Sequence, residues 1–261
     1  MSATGRITIP RLPPRLVERP RLLKRIHEGI GNGLTVVVAP AGYGKTTLVA
    51  MFAAEVEFHP VWLSLDSSAG APEVLAQQLG IAFAGNREFE PPAVATKFSD
   101  LQAYVHAAAR RATSESCLPL LLVVDNVEEL ADAREACALL VWLLDVLPEG
   151  SEVILSGREI PFIPAINARM ATGDVVVLEG ADLAFDDEET AKALAAAESA
   201  EGVSAVRERT AGWPVAVMAS VMGGTVASTG AGTAAFDLYL ETEVWDGLPD
   251  SLQDVLRPLA L

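Results

Sequence analysis

The chain has 261 residues, of which 51% are hydrophobic, enough apolar material to bury the core of one α/β domain and part of a second. Its formal net charge of −16 argues against direct binding of DNA, RNA or an anionic membrane by this segment. Only two cysteines occur, Cys117 and Cys137, without CxxC spacing or histidine neighbours. The composition therefore also argues against a disulfide framework or a zinc site.

The first 25 residues differ from the rest of the chain in charge. They carry seven basic groups against Glu18 alone, a net charge of +6 that leaves −22 for the remaining residues. Four prolines rule out a long amphipathic helix in this region, and no apolar signal-peptide core is present. The long uncharged span 210–236 is too polar to cross a bilayer. We predict an extended basic arm over residues 1–25 and a cytoplasmic protein.

A glycine-rich loop follows the first predicted strand. The β-branched run Leu34–Val38 predicts a short buried strand, and an apolar helix is predicted from Lys45 to about Val56. Backbone N–H groups converge at such a helix start and Lys45 adds a cation, so the pattern predicts binding of a nucleoside triphosphate, with the Thr46 hydroxyl on Mg²⁺. The candidate nucleotide-binding residues of this loop are Pro40, Ala41, Gly42, Tyr43, Gly44, Lys45, Thr46 and Thr47.

One position of the loop departs from the usual phosphate-binding pattern. Ala39 stands where the first glycine is generally found. Because alanine is also small, we expect the turn to form.

A second candidate site residue ends a later strand. Residues 118–125 are almost purely apolar and finish in Asp125, as expected of a buried central strand that delivers one carboxylate to the ligand edge of a parallel sheet. Such an aspartate is also compatible with a plain turn. Together with the loop upstream, it predicts that Asp125 holds Mg²⁺ through water or through Thr46.

Strand and helix patterns alternate along the chain with short connections. This predicts an α/β fold, a P-loop NTPase with a five-stranded parallel sheet covered on both faces. The predicted strands cover residues 34–38, 60–65, 118–125, 151–156 and 174–179. The predicted helices between them cover residues 45–56, 72–84, 99–112, with Ser99 as N-cap, and 133–147.

The sheet is predicted to be complete near Glu179, so we divide the chain as follows. The P-loop NTPase core covers residues 26–180 and a small helical lid covers residues 181–222. Within the lid, the acidic run Asp186–Glu189 is predicted to cap a helix. A linker is predicted over 223–233, and helical spacing over 234–261 predicts the truncated start of a further helical, winged-helix-like domain.

Seven short motifs occur in a characteristic order. They are Leu16–Arg21, Ala39–Thr47, Trp62–Asp66, Leu121–Asp125, Ser156–Arg158, Asp182–Phe185 and Gly212–Pro214. Their order and spacing resemble the NTPase module of large ATP-binding LuxR-type regulators, the maltose-regulon-activator-like branch of the signal-transduction (STAND) ATPases. The similarity covers nearly the whole chain from about Pro10 onward.

The resemblance implies a regulatory switch. Such proteins hold ADP in a silent form, and an inducer bound by downstream repeats favours exchange for ATP and self-association of the full-length protein. A separate output domain, often a helix-turn-helix, then acts on promoters. This segment itself is therefore not expected to bind DNA.

The resemblance also assigns roles to individual residues. It implies that Lys45 and Thr46 bind the phosphates and Mg²⁺ and that Asp125 supports the metal. Arg158 is implied to read the γ-phosphate of ATP. The segment from Val17 to Arg19 and the proline Pro214 are implied to flank the adenine, so the basic arm would contribute to the nucleotide site. Arg158 as a surface cation and Trp213-Pro214 as helix-turn packing are the simpler alternatives.

The residue after Asp125 bears on catalysis. Relatives commonly place a second acidic residue there, whereas this chain has Asn126. An amide can orient a water molecule but cannot accept its proton, so general-base assistance would be missing. We name Asp125, Asn126 and Glu128 as catalytic candidates and expect slow hydrolysis. Glu128 or the neighbouring Glu129 could replace the missing base, or both could be solvated residues at a helix start.

Two other functions remain open at this point. The chain could be a P-loop kinase or transferase, which would require an acceptor pocket with convergent polar groups. It could also be a nucleotide-binding scaffold that never switches. Rapid phosphate transfer to a small acceptor would favour the first, and identical conformations with ADP and ATP would favour the second.

Overall fold

The computed structural model describes residues 7–85 and 97–226. Its strands are β1 (Leu34–Val38), β2 (His59–Ser64), β3 (Leu120–Asp125), β4 (Glu152–Gly157) and β5 (Val176–Glu179). Its α-helices are α1 (Pro20–Glu28), α2 (Lys45–Glu55), α3 (Pro72–Ala84), α4 (Phe98–Ser116), α5 (Arg134–Val146), α6 (Pro164–Thr172), α7 (Gly180–Leu183), α8 (Asp187–Ala196), α9 (Val203–Thr210) and α10 (Pro214–Val226). Short 3-10 helices occupy Ser67–Gly70 and Val127–Leu130. The predicted domain over 234–261 lies outside the described residues, as does the linker from 227 on.

The chain divides into two compact units. Of the described residues, the first unit holds 7–14, 19–40, 45–85 and 97–183, which include the sheet and α1 to α7. The second unit holds 15–18, 41–44 and 184–226, which include α8 to α10.

The five strands of the first unit form one parallel sheet in the order β2-β3-β4-β1-β5. The predicted α/β fold with a five-stranded parallel sheet is thereby confirmed. Because parallel strands share one carboxyl edge, ligands of such sheets bind there. At this edge the register pairs Asp125 with Ser156 and Val38 with Gly157. The ends of β1, β3 and β4 are therefore neighbours.

Burial explains why these sequences form central strands. Every residue of β3 and β4 is buried, as expected where helices cover both faces of a parallel sheet. Helix α2 buries six consecutive residues, Leu48 to Ala53, so it is apolar on all sides rather than amphipathic. Among the described helices, none combines the length and the hydropathy needed to cross a membrane.

The second unit has its own apolar core. Its buried residues are Val17, Phe185, Ala193, Leu194, Ala197, Val206, Val217 and Val221. Helix α8 begins with the predicted cap: the Asp186 carboxylate accepts from the Glu189 amide at 2.8 Å, and the Glu189 carboxylate accepts from the Asp186 amide at 3.2 Å. This capping box satisfies two backbone donors that a helix start leaves without partners.

Several boundaries differ from the sequence-based predictions. The arm predicted to be extended to residue 25 becomes helical at Pro20, which takes the first turn of α1. Helix α4 begins at Phe98 rather than at Ser99, and the residue at its N-cap position, Lys97, makes no side-chain cap. Helix α10 runs to Val226, into the segment predicted as linker.

Helix α6 was not predicted. It has Pro164 in its first turn and ends at Gly173 in the left-handed conformation. This is the usual proline-start and glycine-end pattern of a helix. Only Ile166 of this helix is buried, so its apolar periodicity is weak.

Glu152, at the start of β4, gives a pH-dependent prediction. Its side chain accepts from the Gly31 amide at 2.5 Å, and burial raises the pKa of this carboxyl, while bonds from Gly31 and Gly33 and the charge of Arg169 oppose the rise. A carboxyl whose pKa is higher in the folded than in the unfolded state contributes stability at low pH, which is lost as the pH rises through the folded pKa. Glu152→Gln should therefore raise the midpoint of thermal unfolding at pH 7 by about 1–3 °C.

The control is Glu149→Gln, a change of the same charge at an exposed position. Thermal unfolding followed by circular dichroism at pH 4 and pH 7 should show a gain for Glu152→Gln that shrinks at the lower pH. A variant less stable than the wild type at pH 7 would contradict the prediction.

Candidate nucleotide-binding site

The phosphate loop, residues 39–47, joins β1 to α2 and has the backbone that its sequence predicted. Gly42 and Gly44 have φ of 78° and 76°, a conformation that favours glycine. Ala39 is buried, and its amide donates to the Gly157 carbonyl at 3.2 Å. This bond extends the pairing of β1 with β4 by one residue and fixes where the loop leaves the sheet. Pro40 is exposed and residues 41–47, including Tyr43 and Thr47, are half-buried.

Lys45 folds back over this loop. Its Nζ donates to the carbonyls of Ala39 at 2.7 Å and Pro40 at 3.1 Å. Burial lowers the pKa of the Lys45 ammonium, the carboxylates of Glu128 and then Asp125 oppose the shift, and the charge of Arg158 adds to it. The ammonium therefore shares its electrostatic environment with the groups that end β3 and β4.

Thr46 and Asp125, the two residues predicted to hold Mg²⁺, contact each other in the structure. The Thr46 hydroxyl donates to Asp125 Oδ2 at 2.8 Å. Asp125 is 3% exposed, and its buried Oδ1 has no hydrogen-bond partner within the described part of the chain. A hydroxyl that donates to a carboxylate keeps its lone pairs for a cation, and oxygen donors of this kind suit Mg²⁺. The residues present therefore fit the metal.

Asn126 follows Asp125 but points elsewhere. It has φ of 61° and ψ of 45°, the left-handed region that asparagine tolerates better than most residues. Its side-chain amide donates to the Leu65 carbonyl at 3.4 Å, beyond the end of β2. The backbone conformation is thus a reason for asparagine here that does not involve catalysis.

Glu128 and Arg158 lie next to each other at the ends of β3 and β4. The Arg158 amide donates to Glu128 Oε2 at 3.0 Å, and Arg158 Nε lies 3.8 Å from Glu128 Oε1. A methyl group at Gly157 would lie 2.5 Å from Glu128 Oε2, so glycine is needed there for the carboxylate to approach. The side chains are 18% exposed for Glu128 and 42% for Arg158.

Arg19, which the resemblance places near the adenine, is a buried residue of the first unit. It is 4% exposed, and its guanidinium donates to the Leu183 carbonyl. Two further arginines of α1 bind the same stretch: Arg21 donates to the Asp182 carbonyl at 2.7 Å, and Arg25 pairs with the Asp182 carboxylate. The Arg19 side chain therefore links the start of α1 to Leu183, the last residue of α7.

Within the second unit, residues 212–215 hold the carbonyls of the phosphate loop. The Trp213 indole donates to the Ala41 carbonyl at 3.1 Å, and the Val215 amide donates to the Gly42 carbonyl at 3.2 Å. Carbonyls engaged in this way leave the loop's N–H groups to face an anion. The indole bond could not be found from the sequence, because a Trp-Pro pair equally fits simple packing.

The two residues of the second unit that the resemblance places beside the adenine, Val17 and Pro214, are buried. Val17 is 8% exposed and belongs to the core of that unit, and Pro214 is buried in the first turn of α10.

A separate cavity of about 670 Å³ lies along α5. Its lining is mostly apolar and includes Trp142 and the strongly exposed Phe162, with Arg134 and Asp145 as its charged members. None of the candidate nucleotide-binding residues lines it.

Comparison with known proteins identifies the family. A family model described as "AAA domain" matches residues 29–161, slightly more than half of the chain. The relatives include three proteins named HTH-type transcriptional regulator MalT. The one from Yersinia enterocolitica is 32% identical over 66% of this chain and 19% of its own length. Those from Serratia proteamaculans and Vibrio parahaemolyticus are 34% identical over 59% and 17%, and 24% identical over 97% and 29%, of this chain and of their own lengths.

The chain thus spans between about a sixth and three tenths of the length of these curated relatives. The resemblance to the P-loop ATPase module of maltose-regulon-activator-like regulators, which the motifs indicated, is confirmed.

The corner at Gly212 gives a testable prediction. Gly212 has φ of 73°, and a methyl group there would lie 2.5 Å from the Phe185 carbonyl oxygen. Its own carbonyl accepts from the Phe185 amide at 2.7 Å, so the two backbones cannot easily separate. Gly212→Ala should destabilise the second unit by about 1–3 kcal/mol, the usual cost of backbone strain.

The matched control is Gly202→Ala, because a methyl group at Gly202 meets nothing within 4 Å. Hydrogen exchange measured by mass spectrometry should show faster exchange in α8 to α10 for Gly212→Ala than for Gly202→Ala. Equal exchange in both variants would show that the corner is not strained by the methyl group.

Proposed function

This chain belongs to the AAA domain family, and we propose that it is the ATP- and ADP-binding switch module of a signal-transduction ATPase within a transcriptional regulator. The observation that carries the proposal is the hydrogen bond between Thr46 and Asp125, next to Lys45, whose ammonium donates to the carbonyls of Ala39 and Pro40. Members of this P-loop family bind nucleotides, usually with Mg²⁺. We further propose a switch between two states, slow hydrolysis and self-association of the full-length protein.

Each side chain of the first unit has a proposed task. Lys45 exchanges its carbonyl partners for phosphate oxygens, and as a point charge it can interact with two phosphates. Thr46 and Asp125 would hold Mg²⁺, which when bound neutralises charge on the phosphates. Arg158 reads the γ-phosphate, the group that distinguishes ATP from ADP.

In the second unit, the backbone N–H groups of residues 41–44 are proposed to contact the phosphates. Val17 and Pro214 are proposed to flank the adenine, as the resemblance implies. For Arg19 we propose a supporting role only, because its guanidinium is buried and engaged by Leu183.

Two observations favour a regulatory module over a kinase or transferase. The relatives that match most of the chain are named transcriptional regulators. The cavity along α5 is mostly apolar and none of the phosphate-site residues lines it, so it is not placed to hold an acceptor for phosphoryl transfer at Lys45. A scaffold that binds nucleotide without switching is the remaining alternative, and equal conformations with ADP and ATP would identify it.

The first test concerns nucleotide binding. Lys45→Ala removes the cation proposed to contact two phosphates, and we expect ATP affinity to fall by about thirtyfold to a thousandfold, or about 2–4 kcal/mol. Lys24→Ala is the control, since this lysine is exposed and pairs only with Glu28 on its own helix among the described ion pairs. Isothermal titration calorimetry with both variants decides the matter, and an unchanged affinity for Lys45→Ala would end the proposal.

The second test concerns turnover. Without a carboxylate at position 126, we expect the chain to hydrolyse well under about one ATP per second, below the ordinary enzyme range. Asn126→Asp keeps a residue that tolerates the left-handed backbone, and its carboxylate would be repelled by the Leu65 carbonyl that now accepts from the amide. We expect this variant to hydrolyse ATP at least about tenfold faster, a conservative share of general-base assistance.

Steady-state release of phosphate measures this difference, and Asn126→Ser, which adds no base, is the control. A wild-type rate of many ATP per second would favour a metabolic enzyme instead.

A further inference from the structure

Glu128 lies beside Arg158 but has no task in the function proposed above. It stands in the 3-10 helix Val127–Leu130, directly after β3, and its side chain is only 18% exposed. One carboxylate oxygen accepts from the Arg158 amide at 3.0 Å, and the other lies 3.8 Å from Arg158 Nε. The close contact with Gly157 leaves no room for a side chain at that position. The fold therefore places this carboxylate against Arg158.

The same carboxylate also acts on Lys45. Burial lowers the pKa of the Lys45 ammonium, and of the two carboxylates that oppose this shift Glu128 has the larger effect and Asp125 the smaller. Asp125 is engaged by Thr46 through its Oδ2 atom. The direct contacts of Glu128 are with Arg158, and its effect on Lys45 is the weaker, purely electrostatic one.

We infer that Glu128 is an internal counter-anion that holds Arg158 until the γ-phosphate of ATP displaces it. The inference rests on the proposed function, because it needs ATP to reach Lys45 and Arg158. A γ-phosphate carries the negative charge that Arg158 now finds in the Glu128 carboxylate, so the two anions compete for one guanidinium. ADP has no γ-phosphate and does not enter this competition. Glu128 therefore weakens ATP binding relative to ADP binding, and it sets the preference between the two states of the switch.

Glu128→Gln separates charge from shape. A glutamine oxygen can still accept from the Arg158 amide, so the turn after β4 is retained while the negative charge is lost. We expect ATP to bind about three- to thirtyfold more tightly to this variant, and ADP to change by less than about twofold, as for charged groups a few ångströms apart near a protein surface. Glu135→Gln, an exposed change of the same charge in α5, should alter neither affinity.

Calorimetric titrations with ATP and ADP, each with Mg²⁺ and with a chelator, decide between the possible roles of Glu128. Tighter ATP binding under both conditions supports the counter-anion. Weaker ATP binding only when Mg²⁺ is present would identify Glu128 as a support of the metal, and unchanged affinity with a loss of turnover would identify a general base. Either of these results overturns the inference.

The path through Arg158 has its own test. In an Arg158→Gln background, Glu128→Gln should raise the ATP affinity by less than about twofold, because the guanidinium for which the carboxylate and the γ-phosphate compete is absent. A full gain in that background would overturn the role of Arg158. The failure of the inference also differs from failure of the proposed function, in which the unmodified chain would bind neither nucleotide and Lys45→Ala would change nothing.

Discussion

The hydrogen bond from the Thr46 hydroxyl to the buried Asp125 carboxylate is the interaction on which the candidate site depends. It joins the first turn of α2 to the last residue of β3, two segments that the sequence separates by 79 residues. A buried carboxylate is unfavourable unless it is bonded, and Thr46 satisfies one of its oxygens while the other is without a partner among the described residues. The same pair thus fixes the fold at the ligand edge and leaves oxygen atoms for a cation.

Around that bond, the strand ends are arranged so that opposite charges lie close together. Lys45 leans on carbonyls of its own loop, and Glu128 lies against Arg158. In the second unit, Trp213 and Val215 hold the carbonyls of residues 41 and 42. Within the first unit, these bonds already fix Lys45, Glu128 and Arg158, and groups that are fixed in advance lose less conformational freedom on binding. In the function proposed above, Lys45 and Arg158 would exchange these internal bonds for phosphate contacts.

The sequence predicted the elements whose local pattern is unambiguous. The all-apolar runs of β1 and β3, the glycines at positions 42 and 44, and the acidic cap of α8 each follow from short-range chemistry, and each is present in the structure. Helix α1 was not predicted, because it begins at Pro20 after a basic, proline-rich stretch that fits an extended chain equally well. Helix α6 was not predicted, because only one of its residues is buried and its sequence therefore has little apolar periodicity.

Membership of the P-loop fold and the identity of Lys45, Thr46 and Asp125 as site candidates were determined by the sequence alone, since each depends on a residue type at a fixed place relative to one strand or helix. The partners of these residues were decided only by the tertiary structure. The turn of Asn126 toward Leu65, the burial of Arg19 against Leu183 and the contact of Glu128 with Arg158 join residues 61, 164 and 30 positions apart. No local pattern specifies such contacts, because they depend on the order in which the parallel strands assemble and on which side chains that order brings to one edge of the sheet.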